Sequence, residues 1–197
     1  CDWSSDVCSS DLSMDEGESG MVKQFAVIGD PIEHSLSPVI HAAAYEFLGF
    51  DWQYSAVKVA KGELKDFIES TDYQGLSVTM PLKEELLAVA LDKHWFADQN
   101  SLAMASANTL VLDEQKGSVA NTDVFGAYRA LDAVDPLQIS SLAILGSGAT
   151  SRSCALAALA KFDLLQRCVV FSRSRERAAK LLDLISASKP EIELDRK

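Results

Sequence analysis

Apolar residues along this chain fall into short continuous runs and longer periodic ones, and the two kinds alternate. Lys23 to Ile28 is a short apolar run ended by Gly29 and reads as a strand. Ser37-Pro38 opens a helical pattern, with Ser at the N-cap and Pro in the first turn. It runs through Val39, Ile40, Ala43, Ala44 and Phe47 and ends at Gly49. Gln53 to Val59 alternates apolar and polar positions and reads as a second strand. Gly62 to Ser70 is a helix with Leu64, Phe67 and Ile68 on one face. Gly75 to Thr79 is a third strand, closed by Pro81 because proline cannot donate to a ladder, and Leu82 to Leu91 is a third helix. Strands and helices in strict alternation predict a mostly parallel sheet covered on both faces.

Trp95 to Leu102 suits another helix. Ala107 to Leu112 and Ser118 to Ala120 suit two short strands joined by a turn at Asp113 to Gly117. Asp123 to Ala133 is a helix leading into a second unit, and Asp135-Pro136 marks the boundary. Ser141 to Leu145 is then a buried strand, followed at once by Gly146-Ser147-Gly148-Ala149-Thr150-Ser151 and a helix. Cys168 to Phe171 is the next strand, Arg175 to Ser186 the next helix, and Pro190 to Leu194 reads as a further strand just beginning. The expected class is α/β, in two three-layer αβα units over residues 21–135 and 136–197.

The chain has 197 residues, 48% of them hydrophobic, enough for one large domain or two small ones. It holds no apolar run long enough to span a membrane and reads as soluble and cytoplasmic. The formal net charge of −11 argues against non-specific nucleic-acid binding, which needs a basic face, but not against a local phosphate site. Residues 1–20 contribute much of that charge, with six acids and no Lys or Arg, and without them it is −5. Residues 1–12 lack any periodicity and resemble the translation of a short-read sequencing adapter. Residues 1–20 are therefore expected to be a non-native or disordered tail, with Met14 or Met21 as the true start. Cys154 and Cys168 lie in apolar patterns without metal-ligand spacing. They read as buried and reduced, and no metal site is expected.

The candidate chemistry gathers at strand ends, where α/β folds place ligands. Lys83 stands just past the third strand. A lone lysine is ordinarily a solvated surface residue. Here Gly29-Asp30-Pro31 with His34 to Pro38, and Asn121-Thr122-Asp123, occupy equivalent junctions and converge with Lys83 if their strands are parallel. Ser35 and Ser37 at a helix start suit a small carboxylate, although Ser37 is equally explained as an N-cap. His34 reads as a structural hydrogen-bonder. The glycine loop has the context a dinucleotide requires: Gly146 permits the tight turn, Gly148 lets a diphosphate approach the backbone, and Ser151 keeps the helix close to the strand. The following strand ends in Ser172-Arg173-Ser174, with no acid until Glu176. Arg173 can contact a 2′-phosphate, so NADP is favoured over NAD.

Taken in order, these segments resemble the shikimate dehydrogenase family. The matching motifs are Gly29-Asp30-Pro31 with His34-Ser35-x-Ser37-Pro38 and His41, then Val78-Thr79-x-Pro81-x-Lys83, Ala107-Asn108-Thr109 and Asn121-Thr122-Asp123 with Gly126. Gly146-x-Gly148-Ala149-x-Ser151 and Ser172-Arg173-Ser174 with Arg177-Ala178 follow. Order and spacing agree from Met21 to about Ser188. The resemblance implies an N-terminal substrate-binding domain followed by a Rossmann domain. It also implies NADP-dependent interconversion of 3-dehydroshikimate and shikimate in aromatic amino-acid biosynthesis. It implies that Ser35 and Ser37 hold the substrate carboxylate, that Thr79, Asn108 and Asp123 bind ring hydroxyls, and that Lys83 with Asp123 is catalytic. Gly146, Gly148, Ala149, Thr150 and Ser151 would cradle the diphosphate. Arg173, Ser174 and Arg177 would take the 2′-phosphate of NADP. The partner is then a small molecule, with no nucleic acid or membrane, and the protein a monomer or homodimer.

Some positions depart from the family pattern. Ser77 stands where Asn is usual before Val-Thr, Ala42 where Asn follows His41, and Val119 where Gly precedes Asn121. Family chains also run on past this end, so the Rossmann domain is expected to be truncated and this stretch alone inactive and unstable. The rival readings are a quinate/shikimate dehydrogenase, against which Arg173 counts because such relatives often prefer NAD, an inactive fragment, and a non-catalytic metabolite-binding relative.

Overall fold

A computed structural model describes residues 22–113, 116–133 and 139–197. The first unit opens with β1 (Gln24–Gly29), α1 (Ser37–Leu48), β2 (Gln53–Lys58), α2 (Leu64–Ser70), β3 (Gly75–Val78) and α3 (Lys83–Asp92). It continues with β4 (Phe96–Ala97), α4 (Gln99–Met104), β5 (Thr109–Asp113), β6 (Lys116–Ala120) and α5 (Asp123–Ala130), the last tightening into a 3-10 turn at Leu131–Ala133. The second unit holds β7 (Ser141–Leu145), α6 (Ala149–Lys161), β8 (Arg167–Phe171), α7 (Arg175–Ser188) and β9 (Glu193–Arg196). The expected tail, the tip of the turn at 114–115 and the expected boundary at Asp135-Pro136 lie outside the described residues.

The first sheet has the order β2-β1-β3-β5-β6-β4. β1 pairs in parallel with β2 and β3, and β4 with β6; β5 runs against both of its neighbours. One face is closed by α2 and α3, whose Leu64, Ile68, Leu86 and Ala90 pack on Ala26, Ile28, Leu76 and Val78. Burying the Leu, Ile and Val side chains among these stabilises the fold by about 1.5–3 kcal/mol each.

On the other face α1 behaves differently from its sequence pattern. None of its residues is buried, and Val39 (69%), Ile40 (63%) and Phe47 (90%) are largely exposed. The side chains it turns to the sheet are His41 and Tyr45, which meet Tyr54, Phe25 and Trp52 ring to ring. An aromatic seam holds the helix, and the aliphatic stripe faces out. Ser37 is not the N-cap either. That position is Leu36, without a side-chain cap, and the Ser35 hydroxyl instead accepts the Ser37 backbone N–H at 3.3 Å.

The helix expected over Trp95 to Leu102 divides in two. Phe96 and Ala97 pair with Ser118 and Val119 as an edge strand, and α4 starts only after Asp98, whose carboxylate accepts the Ser101 N–H at 2.7 Å. A capping aspartate fixes the start of a helix against the apolar pattern around it.

The second sheet is fully parallel, β7-β8-β9, and the strand expected at Pro190 to Leu194 starts only at Glu193 and runs to Arg196, because Pro190 to Ile192 form the turn that leads into it. The described residues build two layers of this unit. Strand order follows chain order, so both right-handed crossovers put their helices on one face. There α6 and α7 share a core of Ala155, Leu159, Leu181 and Ile185 with Ile144 and Val170, while Leu145 on the opposite face is 82% exposed. Cys168 is buried in this core, and burial pushes its thiol up; Cys154 is exposed, against expectation, because it lies on the outer side of α6. The two units meet along α5 and α6. Lys161 pairs with Asp132 and lies 4.6 Å from the centre of the Tyr128 ring. No described helix is long and apolar enough to cross a membrane.

Candidate functional site

The ends of β1 and β3 and the start of α3 are drawn together by backbone bonds. Thr79 N–H donates to Ile28 C=O at 2.9 Å, Asp30 N–H to Met80 C=O at 3.0 Å, and Leu82 N–H to Thr79 C=O at 2.9 Å. Gly29 permits this approach, since a Cβ there would lie 2.5 Å from Thr79 Cγ2 and 2.7 Å from Met80 O. Lys83 is thereby placed at the first residue of α3, and its carbonyl accepts the Ala107 N–H at 2.9 Å, which fixes the approach to β5.

Asp123 reaches Lys83 from the opposite side. Its Oδ2 accepts from Lys83 Nζ at 2.6 Å, and its Oδ1 accepts from Asn108 Nδ2 at 2.8 Å. Asn108 Oδ1 accepts in turn from Thr122 N–H at 3.1 Å and Thr109 Oγ1 at 2.9 Å. Every polar atom of the Asn108 side chain is thus engaged, which locks its rotamer. Behind this group lies Asn121, 2% exposed. It donates to Ser106 C=O at 2.9 Å, while its Oδ1 accepts the Asp123 N–H at 3.1 Å. The sequence marks Asn121 only as part of a polar triplet; its burial makes it the anchor that sets Asp123. The Lys83 and Asp123 side chains keep 21% and 31% of their surface exposed, so the pair is reachable from solvent.

A cavity of about 210 Å³ opens over these groups, lined among others by Ser37, Ser77, Thr79, Lys83, Asn108 and Thr122. Its wall is a ring of hydroxyl, amide and ammonium groups, suited to a small polyhydroxylated ligand. Of the residues expected to touch substrate, Ser37, Thr79, Lys83 and Asn108 line it. Asp123 stands behind Lys83 and Asn108, and Ser35 stands behind Ser37. Thr109, Thr122 and Ser77 are wall residues to which the sequence reading gave no role. The clue lay in their place beside Asn108, Asp123 and Thr79.

The glycine loop lies between β7 and α6. Gly146 has φ +109°, which L side chains avoid, and its N–H donates to Phe171 C=O at 2.8 Å, which ties the loop to the end of β8. Gly148 differs. It is the N-cap of α6 in ordinary extended geometry, and a Cβ there would meet nothing within 4 Å. Nothing inside the chain demands a glycine at this place. The open backbone face leaves room for a group from outside, and the first turn of α6, with no side-chain cap, presents unpaired N–H groups to that space. Ala149, Thr150 and Ser151 form that turn. Ser147 and Ser172 hydroxyls meet at 2.6 Å across the crevice. Arg173 and Arg177 are both exposed beyond it, and Ser174 caps α7 by accepting the Arg177 N–H at 3.3 Å, which leaves its hydroxyl proton free to donate. The chain's residues therefore fit a phosphorylated dinucleotide. A link between the units also falls here: Arg152 of α6 reaches Glu84 of α3, next to Lys83, at 3.4 Å. Among the described residues, no group of three or more His, Cys, Asp or Glu side chains is placed to hold a metal ion.

Comparison with known proteins points the same way. Residues 27–110 match the family model of the shikimate dehydrogenase substrate binding domain. The chain is 37% identical over 162 residues to the shikimate dehydrogenase (NADP(+)) of Ignicoccus hospitalis, over 81% of this chain and 58% of that one. Against the same enzyme of Methanothermobacter thermautotrophicus it is 34% identical over 172 residues, 84% of this chain and 57% of that one. The crystal structure of Mycobacterium tuberculosis shikimate dehydrogenase superposes with a TM-score of 0.76 at 31% identity, covering 89% of this chain and 63% of that chain. The Thermus thermophilus enzyme, solved in complex with NADP(H) and shikimate, gives 0.73 at 30% identity, over 88% and 62%. The chain thus spans 57% to 58% of the length of these two curated relatives.

Proposed function

The chain belongs to the shikimate dehydrogenase family, and from that membership we propose that its cleft serves the reversible, NADP-dependent reduction of 3-dehydroshikimate to shikimate. The division that goes with this reading is a substrate-binding domain over residues 21–135 and an NADP-binding Rossmann domain from residue 136. One observation carries the proposal: Lys83 and Asp123 form a close pair at the edge of a hydroxyl-lined cavity.

Reduction of a ring ketone needs a hydride at carbon and a proton at oxygen; bound NADPH supplies the hydride. The rest falls to the chain. The Lys83 ammonium, held by Asp123, donates a hydrogen bond to the ketone oxygen and stabilises the alkoxide as charge develops there. It then yields its proton, and Asp123 holds the lysine in place and shares the proton load. Asn108 keeps Asp123 from turning away. Thr79 and Asn108 take the ring hydroxyls from the cavity wall, with Asp123 reached past Asn108 and Lys83, and Ser37, backed by Ser35, takes the carboxylate.

On the cofactor side, Gly146, Gly148, Ala149, Thr150 and Ser151 hold the diphosphate, and Arg173, Ser174 and Arg177 the 2′-phosphate. The open face of Gly148 supports the first assignment, and two exposed guanidinium groups at the end of β8 support the second.

The test is spectrophotometric. The chain is assayed with shikimate plus NADP⁺ and with quinate plus NAD⁺, and thermal midpoints are recorded for the same mixtures. Reduction of NADP⁺ with shikimate, or stabilisation by shikimate and not by quinate, is the expected result. Turnover of quinate with NAD⁺ alone would replace the reading with a quinate dehydrogenase. Neither turnover nor stabilisation by any of the four compounds would end it.

A further inference from the structure

The cavity floor carries a hydroxyl that is held from behind. Ser77 lies on β3 and lines the cavity, and Tyr54 lies two strands away on β2. Register sets Tyr54 beside Phe25 and Ser77 beside Val27, so the two side chains share one face of the sheet. Tyr54 reaches across β1, and its phenol donates to Ser77 Oγ at 2.7 Å. Its ring is clamped as well: His41 stacks on it at 3.9 Å between centroids, with 10° between planes. His41 is itself fixed, with Nδ1 2.9 Å from the Ser37 carbonyl oxygen. Ser37 and Ser77 both line the cavity, so one arm, His41 stacked on Tyr54, joins two of its walls.

A serine hydroxyl has one proton and two lone pairs. With one lone pair occupied by the Tyr54 phenol, the Ser77 proton is left for an acceptor other than Tyr54, and the cavity is the space that Ser77 lines. We propose that Tyr54 is a positioning residue of this site, which orients Ser77 as a hydrogen-bond donor to an oxygen of the bound ring. This rests on the shikimate reading above. Burial raises the Tyr54 ionisation above its ordinary value, and the bond to Ser77 opposes that rise less strongly, so the phenol keeps its proton at neutral pH.

The experiment is a double-mutant cycle in shikimate affinity, by calorimetry, on the whole chain. It compares the unaltered protein, Tyr54→Phe, Ser77→Ala and the double variant, each with its thermal midpoint. Tyr54→Phe keeps the ring on His41 and removes only the donor. Its affinity is expected to fall roughly five-fold, the usual effect of one neutral hydrogen bond, at an essentially unchanged midpoint. Ser77→Ala is expected to fall at least as far, and the double variant no further than Ser77→Ala. A merely structural Tyr54 would lower the midpoint and add its loss in either background. Equal affinity in Tyr54→Phe, or a full five-fold loss persisting on top of Ser77→Ala, would overturn the inference alone. Failure of the unaltered chain to bind shikimate would overturn it together with the reading it rests on.

Discussion

Lys83 Nζ stands 2.6 Å from Asp123 Oδ2 across 40 residues of sequence, and neither side chain is placed by its own element alone. Lys83 is set by the turn that ends β3, and Asp123 by buried Asn121. A partly exposed ion pair of this kind contributes only about 0–1 kcal/mol to stability, so its geometry answers to something other than folding. Lys83→Ala is therefore expected to leave the thermal midpoint and shikimate affinity nearly unchanged. It should lower kcat at least about 100-fold, as the loss of a transition-state donor does. Turnover at saturating substrate, with calorimetric binding alongside, checks this; undiminished turnover would remove Lys83 from the mechanism.

The two loop glycines separate folding from binding. Gly146→Ala forces a side chain into φ +109° and sets a Cβ 3.3 Å from Ser151 Oγ, and should cost about 1–3 kcal/mol in urea unfolding. Gly148→Ala adds its methyl to open space in unstrained backbone and should unfold like the unaltered chain. That methyl stands where a diphosphate would approach. NADP⁺ affinity, measured by fluorescence titration, is expected to fall about ten-fold or more, equivalent to about 1.4 kcal/mol. Unaltered affinity in Gly148→Ala would mean the cofactor does not use this face.

Much of this site was readable because its residues sit where one strand ends and one helix begins, and Pro81, the Asn121-Thr122-Asp123 triplet and the glycine loop announce those junctions. What sequence pattern could not supply is which way a helix turns. The aliphatic stripe of α1 looks like a core face, yet Tyr45 and His41 give it a better fit to the rings of Phe25, Trp52 and Tyr54. Nor does periodicity distinguish an apolar stretch that starts a helix from one that pairs at a sheet edge. At Trp95 to Leu102 the Asp98 cap decides that, leaving Phe96 and Ala97 to the sheet edge and starting the helix at Gln99. The Tyr54–Ser77 bond spans an intervening strand and leaves no local trace in the sequence.

Gly29 couples the sheet to the cavity wall. In Gly29→Ala the new Cβ would stand 2.5 Å from Thr79 Cγ2, and the neighbour on its other side is backbone, Met80 O at 2.7 Å. Only Thr79 can give way, and doing so moves a side chain out of the cavity. Overpacking of this kind is expected to destabilise by about 1–3 kcal/mol and to weaken shikimate binding together with stability. Chemical denaturation and calorimetry on the same variant test the two effects; a destabilised variant with native affinity would show that Thr79 makes no contact with the ligand.

The seam between the two units should show in acid. Asp132 of the 3-10 turn after α5 is held below the ordinary carboxylate range, chiefly by its hydrogen bond from Lys161; desolvation opposes this, and the nearby charges of Arg129 and Lys161 lower it further by less. A carboxyl depressed in the folded state contributes stability that is present above its unfolded value, near about 4, and is lost as pH falls through the lower folded value. The thermal midpoint of the unaltered chain should therefore exceed that of Asp132→Asn at pH 7. The gap should close progressively below about pH 4, where the native carboxyl takes up its proton. Added salt should narrow the gap at pH 7, because Asp132 is exposed and its charge interactions are screened. A gap that stays constant from pH 7 to the acid limb would show that the asparagine costs packing rather than charge, and that the Lys161–Asp132 pair does not tie α5 to α6 in solution.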